Sequence, residues 1–283
     1  MNTIHEPHLM QREAEHLRAA GKRIALVPTM GALHAGHAAL IREARARGDA
    51  VVVTLFVNPA QFGQGEDYGR YPRDLDGDVL LASGAGGDIL FAPEPKAMYP
   101  PGYQTYVSVE RLSLPLEGAA RPGHFRGVTT VVTKLLNITR PHVAVFGQKD
   151  AQQVVVLRRM ARDLDFGVEI VVVPTVRERD GLALSSRNAY LTPAQRNEAP
   201  VLHRALKKGE DLIRAGERSA DAVGAAVASE ITAGSSAAID YVSVADAESL
   251  EPLSTLRPGA TVLVSLAARF GTTRLIDNVL ISI

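Results

Sequence analysis

Residues 23–58, which read RIALVPTMGALHAGHAALIREARARGDAVVVTLFVN, decide the fold of the chain. The run RIALVP predicts a buried strand, and HAALIREARARG predicts the helix after it, with Leu40, Ile41 and Ala44 on one helical face. The run AVVVTLFVN, residues 50–58, is apolar almost throughout and rich in valine, which is typical of parallel strands covered on both faces. Strand, helix and strand together predict a βαβ unit.

The alternation of strands and helices continues to about residue 185. DILFAP, HVAVFG and VEIVVVP predict three more strands, and GDVLLASG, VTTVVTKLLNI and DAQQVVVLRRMARDL predict the helices that alternate with them. Residues 93–127 are rich in Pro, Gly and Tyr, and they are predicted to be irregular. This alternation predicts an α/β fold with a Rossmann-like, doubly wound and mostly parallel sheet.

The pattern changes after about residue 185. Thr192, Pro193 and Gln195 have the arrangement of a helix N-terminus with a capping box. Helical segments rich in Ala and Glu follow, and then IDYVSVAD, TVLVSLAARF and TTRLIDNVLISI predict an antiparallel meander of three strands. We therefore predict a Rossmann-like domain over residues 1–185 and a smaller C-terminal α+β domain over residues 186–283.

The composition limits the classes of function. Of the 283 residues, 46% are hydrophobic and 22% are charged, as in ordinary soluble proteins. The formal net charge is +0, which does not favour a nucleic-acid partner. The chain has no cysteine, so thiolate catalysis, disulfides and cysteine-based zinc sites are excluded. No signal-peptide core and no membrane-spanning run is evident, so we expect a cytoplasmic protein without a membrane partner.

The loop PTMGALHAGH, residues 28–37, is the strongest candidate for a binding site. It follows a predicted strand and opens a helix, and ligands of parallel sheets bind at the carboxyl ends of strands. The free N–H groups and the positive dipole end of such a helix favour an anion. The spacing of Gly31 and Gly36 fits a P-loop, but His37 and Ala38 stand where a P-loop needs Lys and Ser or Thr. A dinucleotide fingerprint is also absent, so the loop is neither of these known anion sites.

His34 and His37 give this loop its chemistry. Two imidazoles at i and i+3 point to one side of a helix start, where they can donate hydrogen bonds to phosphate oxygens that gain charge during transfer. The alternatives are a zinc-binding pair or two solvated histidines. Zinc needs further ligands, and no partner pattern of histidines or carboxylates is evident. An H-x-x-H pattern alone is weak evidence for a phosphate site. The evidence is strong here because the pattern follows an apolar strand and lies within PTMGALHAGH.

PTMGALHAGH is similar to the His-x-Gly-His signature of the nucleotidyltransferase superfamily, which includes class I aminoacyl-tRNA synthetases. Further characteristic segments are TLFVNPAQFGQGEDYGRYPRDLDGD, EGAARPGHFRGVTTVVTKLLNI, FGQKDAQQ, PTVRERDGLALSSRNAYL and RFGTTRLIDN. Through these segments, which extend over nearly the whole chain, the sequence resembles the pantoate–β-alanine ligases, or pantothenate synthetases. The resemblance implies an AMP-forming ligase that uses ATP with Mg²⁺ to condense pantoate with β-alanine through a pantoyl adenylate. A small-molecule nucleotidyltransferase of the same superfamily is the alternative.

The resemblance also implies the residues of the site. The expected catalytic residues spread the charge of the phosphates, and they are His34, His37, Lys149, Ser185 and Arg187. The residues expected to bind ATP are Met30, Gly31, Ala32, Leu33, His34, Ala35, Gly36, His37, Gly147, Gln148, Lys149, Asp150, Val176, Leu184, Ser185, Ser186 and Arg187. Gln61 and Gln153 are expected to hold pantoate.

Three further properties follow from the same resemblance. Mg²⁺ is expected to be held largely by the phosphates of ATP, so no metal-ligating residue is predicted. The C-terminal domain is expected to act as a lid hinged near residue 185, because an acyl adenylate must be kept from water. The family also implies a homodimer.

Two polar segments have no assigned catalytic or binding role. The aspartates of DLDGD, which are Asp74, Asp76 and Asp78, are predicted to form a solvated helix face. The segment EGAARPGHFRGV is predicted to form a mobile wall over the site, with Glu117, Arg121, His124 and Arg126 as its polar residues. Arg121 is interpreted either as the partner of a carboxylate or phosphate or as a solvated loop arginine.

Overall fold

The βαβ unit predicted over residues 23–58 is present in the computed structural model, which describes residues 1–283. Strand β2 spans Ile24–Thr29, helix α2 spans Ala35–Arg47 and strand β3 spans Ala50–Leu55. The two strands pair in parallel, in the register that places Ile24 opposite Ala50. The crossover therefore has the geometry that the apolar runs predict.

The other elements lie before and after this unit along the chain. The remaining strands are β1 (Asn2–Ile4), β4 (Ile89–Phe91), β5 (Val143–Gly147), β6 (Glu169–Val173), β7 (Ala238–Asp246), β8 (Thr261–Phe270) and β9 (Thr273–Ser282). The remaining helices are α1 (Pro7–Ala19), α3 (Leu75–Gly84), α4 (Pro95–Met98), α5 (Glu117–Ala120), α6 (His124–Thr139), α7 (Ala151–Asp163), α8 (Pro193–Glu198), α9 (Val201–Arg214) and α10 (Ala220–Gly234). None of the helices has the length and apolar character needed to cross a membrane.

The chain divides into two compact units. The first contains residues 1–147 and 156–174, and the second contains residues 148–155 and 175–283. The domain boundary between residues 185 and 186 stays a prediction, and so does the movement of the C-terminal domain as a lid.

Six parallel strands form the sheet of the first unit, in the order β1-β4-β3-β2-β5-β6. From β2 the chain proceeds to β3 and β4 on one side, and it later adds β5 and β6 on the other side. The strand order therefore reverses between β2 and β5. At such a reversal, neighbouring loops leave the sheet in opposite directions and open a crevice at the carboxyl ends of the strands. The loop after Thr29, which carries the histidine pair, begins at this point.

Both faces of this sheet are covered, which explains why its strands are apolar almost throughout. Ala25 and Val27 of β2 face a core that includes Ile41 of α2 and Ala82 of α3. Ile24 and Leu26 alternate with them and are also fully buried, and α1 and α6 contact this strand. The predicted doubly wound α/β sheet is confirmed.

No local sequence pattern predicts the first two elements. Strand β1 has only three residues, two of them polar, and only Ile4 among them is buried. Helix α1 buries only Met10 and Ala14, so its apolar positions are too few to give a helical periodicity. Within residues 93–127, which were predicted to be irregular, α4 and α5 are single helical turns.

The second unit has helices packed on an antiparallel sheet of three strands, in the order β7-β8-β9. The strands pair as consecutive hairpins, as the predicted meander requires. The helix start at Thr192 has the predicted capping box with Gln195. Apolar residues of α9, α10 and β8 share one core, which includes Leu206, Val227 and Val264. The predicted α+β unit is therefore present.

Candidate active site

His34 and His37 lie side by side at the start of α2, with their ring centroids 4.1 Å apart. His34 is the N-cap residue, and its Nδ1 accepts a hydrogen bond from the backbone N–H of Gly36 at 3.1 Å. The Nδ1 of His37 accepts a hydrogen bond from the backbone N–H of His34 at 3.2 Å. The loop backbone thus orients both imidazoles.

These two hydrogen bonds fix the tautomer of each ring. A ring nitrogen that accepts an N–H carries no hydrogen, so the hydrogen of the neutral imidazole is on Nε2. Each of His34 and His37 therefore has an Nε2–H donor, which is the group that a phosphate oxygen requires. A metal bound at Nδ1 would have to displace the backbone bonds, and no group of three or more histidine, aspartate or glutamate side chains is placed to hold a metal ion.

Asp78 contradicts the prediction that the aspartates of DLDGD form a solvated face. Its side chain is buried, with 4% exposure, whereas Asp74 and Asp76 are exposed. Residues 76 and 78 are two positions apart on α3 and so lie on roughly opposite sides of the helix. When Asp76 faces water, Asp78 must therefore face the protein. Asp74 has its own role as the N-cap of α3, because it accepts the N–H of Gly77 at 3.0 Å.

The carboxylate of Asp78 holds the loop that carries the histidines. Its Oδ1 accepts the N–H of Leu33 at 2.6 Å, and its Oδ2 accepts the N–H of Ala32 at 3.0 Å. Burial raises the pKa of Asp78, and the two backbone N–H groups act in the opposite direction. The side chain is thus a buried acceptor that spans two consecutive peptide groups.

The backbone N–H groups of this loop were expected to be free to bind an anion, and most of them are not. Five of them already donate to protein acceptors, namely those of Gly31, Ala32, Leu33, His34 and Gly36. The expectation is wrong for these five amides, because the turn that exposes the histidines uses its own N–H groups to hold its shape. An anion would therefore meet the imidazole donors in preference to these amides.

Gln61 lies next to the histidine loop. It ends a short 3₁₀ helix, Pro59–Gln61, and its Nε2 donates to the Sδ of Met30 at 3.1 Å. Its Oε1 accepts a hydrogen bond from the Nδ2 of Asn58 at 3.0 Å. Asn58 is buried, and its Oδ1 in turn accepts the O–H of Tyr99 at 2.8 Å. In the sequence, Asn58 ends an apolar run and precedes Pro59, and no local pattern indicates its contact with Gln61.

Arg121 and His124 hold the backbone of the same glutamine. The carbonyl oxygen of Gln61 accepts hydrogen bonds from Arg121 at 3.3 Å and from the Nδ1 of His124 at 2.9 Å. Arg121 also forms a bidentate ion pair with Glu66, at 2.8 and 2.6 Å. Of the two interpretations of Arg121, the solvated one is wrong, and the partner is the carboxylate of Glu66. Burial, with a smaller effect of Arg121, lowers the pKa of His124 to about 4.

In the second unit, Asn278 of β9 holds the turn that contains Lys149. Its Nδ2 donates to the carbonyls of Gln148 at 3.0 Å and Lys149 at 2.9 Å, and its Oδ1 accepts from the Nε2 of Gln148 at 3.0 Å. Asn278 is only 4% exposed, so these bonds are shielded from water. The Nζ of Lys149 lies 3.7 Å from the Oδ1 of Asp150. This arrangement explains why residues 148–155 belong to the second unit.

The neighbouring residue, Asp277, holds a second segment of the predicted site. It forms a bidentate ion pair with Arg177, at 2.6 and 3.0 Å. Arg177 forms an antiparallel bridge with Ala183, and the N–H of Leu184 donates to the carbonyl of Val176 at 3.0 Å. Two residues predicted to bind ATP, Val176 and Leu184, are therefore direct backbone partners.

The segment after Leu184 forms a short 3₁₀ helix, Ser186–Tyr190. Ser185 caps it by accepting the N–H of Arg187 at 3.3 Å. Ser185, Ser186 and Arg187 are all half-buried. Ser185 therefore has a structural role in addition to its predicted contact with phosphate.

The predicted site residues are distributed over both units. The first unit contains Met30 to His37, Gln61 and Gly147, and the second contains Gln148 to Asp150, Gln153, Val176 and Leu184 to Arg187. The first unit brings Gln61 to the histidine loop. The second brings the Lys149 turn and the Arg177–Ala183 bridge to adjacent residues of β9. Gly147 is the last residue of β5, and Gln153 is half-buried in the first turn of α7.

Comparison with known proteins gives a match along the whole chain. The model of the family described as pantoate-beta-alanine ligase matches residues 2–280, a range that includes every predicted site residue. The pantothenate synthetase of Moorella thermoacetica is 58% identical over 266 residues, which are 94% of this chain and 93% of that protein.

Solved structures agree with the sequence comparison. The pantothenate synthetase from Thermus thermophilus superposes with a TM-score of 0.90 at 48% identity, and the superposition covers 99% of both chains. The pantoate-beta-alanine ligase from Francisella tularensis superposes with a TM-score of 0.81 at 33% identity, over 99% of this chain and 97% of that chain. The Francisella tularensis ligase was crystallised as a complex with beta-gamma ATP and beta-alanine.

Proposed function

The chain belongs to the pantoate-beta-alanine ligase family, and from this premise we propose that it works through a pantoyl adenylate held by the residues described above. Its activity is the ATP-dependent ligation of pantoate with β-alanine. The products of the proposed route are pantothenate, AMP and pyrophosphate.

In the first step, a carboxylate oxygen of pantoate attacks the α-phosphorus of ATP. The bond from this phosphorus to the bridging oxygen breaks, and pyrophosphate leaves with the electron pair. Two anions must approach each other, so the barrier is largely electrostatic. The Nε2–H groups of His34 and His37 donate to phosphate oxygens, while Lys149 and Arg187 supply positive charge. Ser185 and Ser186 add hydroxyl donors, and Mg²⁺ enters as the ATP complex, held largely by the phosphates.

In the second step, the amine of β-alanine attacks the acyl carbon of the adenylate. The bond between that carbon and the phosphate oxygen breaks, AMP leaves with the electron pair, and the new ammonium loses a proton. Gln61 and Gln153 hold pantoate through both steps. An acyl adenylate hydrolyses readily, so the domain over residues 186–283 closes as a lid hinged near residue 185.

The observation that supports this mechanism best is the pair of backbone hydrogen bonds to the Nδ1 atoms of His34 and His37. The backbone bonds to Nδ1 leave the hydrogen of each neutral ring on Nε2, so His34 and His37 act as donors and need no proton transfer to do so. Such donors stabilise negative charge that develops on an oxygen of a transition state. The side chain of Gln61 donates to Met30 of the same loop, which supports the proposed role of Gln61 in holding pantoate.

Replacement of His37 tests this role. We expect His37→Ala to lower the rate of pantoate-dependent ATP–pyrophosphate exchange by about 10²–10³-fold, because one charge-stabilising donor is lost. His16→Ala, which removes an exposed histidine of α1, is the control and should exchange at the wild-type rate. A wild-type exchange rate in His37→Ala would remove this residue from the mechanism.

A small-molecule nucleotidyltransferase, the alternative of the same superfamily, would stop at a nucleotide product. Formation of AMP that depends on pantoate, together with pantothenate that depends on β-alanine, separates the ligase from it.

We also propose that the protein is cytoplasmic, and that it is a homodimer, as the family resemblance implies. Light scattering should then give twice the chain mass of 30.2 kDa, and the monomer mass would contradict the dimer.

A further inference from the structure

The loop between β2 and α2 has an unusual backbone conformation. Gly31 has a φ of +89°, and the next residue, Ala32, has a φ of +51°. The left-handed region is unfavourable for alanine, so this conformation persists only where the surrounding structure holds it. The turn directly precedes Leu33 and His34, and its shape therefore determines where the histidines begin.

Asp78 is the group that holds this turn. Its two carboxylate oxygens accept the N–H groups of Ala32 and Leu33, one oxygen to each amide. A Cβ at Gly31 would lie 3.0 Å from Oδ2, so the carboxylate packs directly against the turn. The aspartate is fixed on α3, whose residue Ala82 belongs to the core together with Ala85, the C-cap of the helix.

Hydrogen bonds connect this turn to the two histidines. The N–H of His34 follows the Leu33 peptide and donates to the Nδ1 of His37, and the N–H of Gly36 donates to the Nδ1 of His34. A shift of the Ala32–Leu33 peptide would therefore move the donor that orients the His37 ring.

We propose that Asp78 is a positioning residue for the adenylation step, which fixes the Ala32–Leu33 turn and, through it, the Nε2–H donors of His34 and His37. The inference rests on the proposed role of the two histidines. Asp78 acts on the turn and is not assigned a contact with the reacting atoms.

The chemistry of the turn explains why this position needs a carboxylate. Two N–H groups require two acceptor oxygens, and a carboxylate offers both in one plane. Asparagine has the same shape, but its amide group would direct N–H hydrogens at one of the two backbone donors. Asp78→Asn therefore replaces one hydrogen bond by a repulsion between two N–H groups, while the volume of the side chain hardly changes.

The test compares two aspartates of the same helix. We expect Asp78→Asn to lower the turnover of pantoate-dependent ATP–pyrophosphate exchange by about 10²-fold, because small misplacements of catalytic groups have effects of this size. Asp76→Asn, the matched control, removes an exposed aspartate two residues away and should stay at the wild-type rate. Circular dichroism verifies that each variant is folded. If Asp78→Asn does not fold, Asp78→Glu takes its place, with both oxygens displaced by one methylene.

A double-variant cycle with His37→Ala separates positioning from a general loss of structure. If Asp78 acts through the two histidines, the losses should be less than multiplicative, because His37→Ala already removes one of the two donors that Asp78 positions. Losses that multiply, or a folded Asp78 variant with the wild-type exchange rate, would overturn the positioning role. A wild-type rate in His37→Ala alone would instead contradict the proposed function, so the two failures are distinguishable.

Discussion

At the scale of single residues, buried polar side chains hold the segments that contain the predicted site residues. Asp78, Asn58 and Asn278 are each buried, and each bonds to the backbone or side chain of a segment with predicted site residues. Buried polar groups in proteins are almost always hydrogen-bonded, and loss of one partner leaves the other unsatisfied. The geometry of the site thus depends on residues that need not contact a substrate.

His124 makes the stability of the first unit depend on pH. Its pKa is lowered from 6.5 to about 4, chiefly by burial, with Arg121 adding to the effect and Glu66 and Glu117 opposing it. Below pH 6.5 the unfolded chain binds a proton that the folded protein does not bind. Stability that is complete above pH 6.5 is therefore lost as the pH falls toward 4, by about 2 kcal/mol between pH 7 and pH 5.

Urea unfolding of wild type and His124→Gln at pH 7 and pH 5 measures this effect. The wild type should lose about 2 kcal/mol more than the variant between the two pH values. The pKa values of His142 and His203 are also lowered by burial, but they change both proteins equally and cancel in the comparison. Equal losses in the two proteins would show that His124 is not the group responsible.

At the scale of secondary structure, close packing of α6 against the Pro59–Gln61 turn positions Gln61. A Cβ added at Gly127 would collide with the carbonyl oxygen of Ala60 and would lie 2.6 Å from the Cα of Gln61. Only a glycine permits this approach, because the atoms that a side chain would meet belong to the backbone. The carbonyl of Gly127 also accepts a hydrogen bond from Asn58.

Gly127→Ala should therefore push the turn away from α6. We expect a loss of about 1–3 kcal/mol in the free energy of unfolding, as for overpacking in a core, together with a raised KM for pantoate. Denaturant unfolding and steady-state kinetics measure the two effects. Gly84→Ala, where no atom lies within 4 Å of the added Cβ, is the control and should be neutral or slightly stabilising. An unchanged KM with a wild-type stability would contradict the packing argument.

Local sequence patterns predict some of these elements and contacts, but not others. The longer strands of both sheets were predicted because their apolar runs reflect burial on one or two faces, which is a local property. The loop with His34 and His37 was predicted from its position after such a strand. The role of Asp78 was not, because its partner Leu33 is 45 residues away and no local pattern distinguishes a buried aspartate from a solvated one.

At the scale of the whole molecule, distant parts of the chain meet within each unit. Asn278 bonds to Lys149 across 129 residues, and Asp277 bonds to Arg177 across 100 residues. The motif RFGTTRLIDN is part of the family resemblance, but no local pattern predicts what Asp277 and Asn278 contact. In the structure, the pair anchors two segments that carry predicted ATP-binding residues.

The central claim is that the carboxylate of pantoate is activated as an acyl adenylate, and an isotope label tests it most directly. Pantoate with ¹⁸O in both carboxylate positions is incubated with the protein, ATP, Mg²⁺ and β-alanine, and the products are analysed by mass spectrometry. The oxygen that attacks the α-phosphorus stays on it when the amine displaces AMP. We therefore predict one ¹⁸O atom in AMP and one in pantothenate, whereas unlabelled AMP, or ADP in its place, would contradict the mechanism.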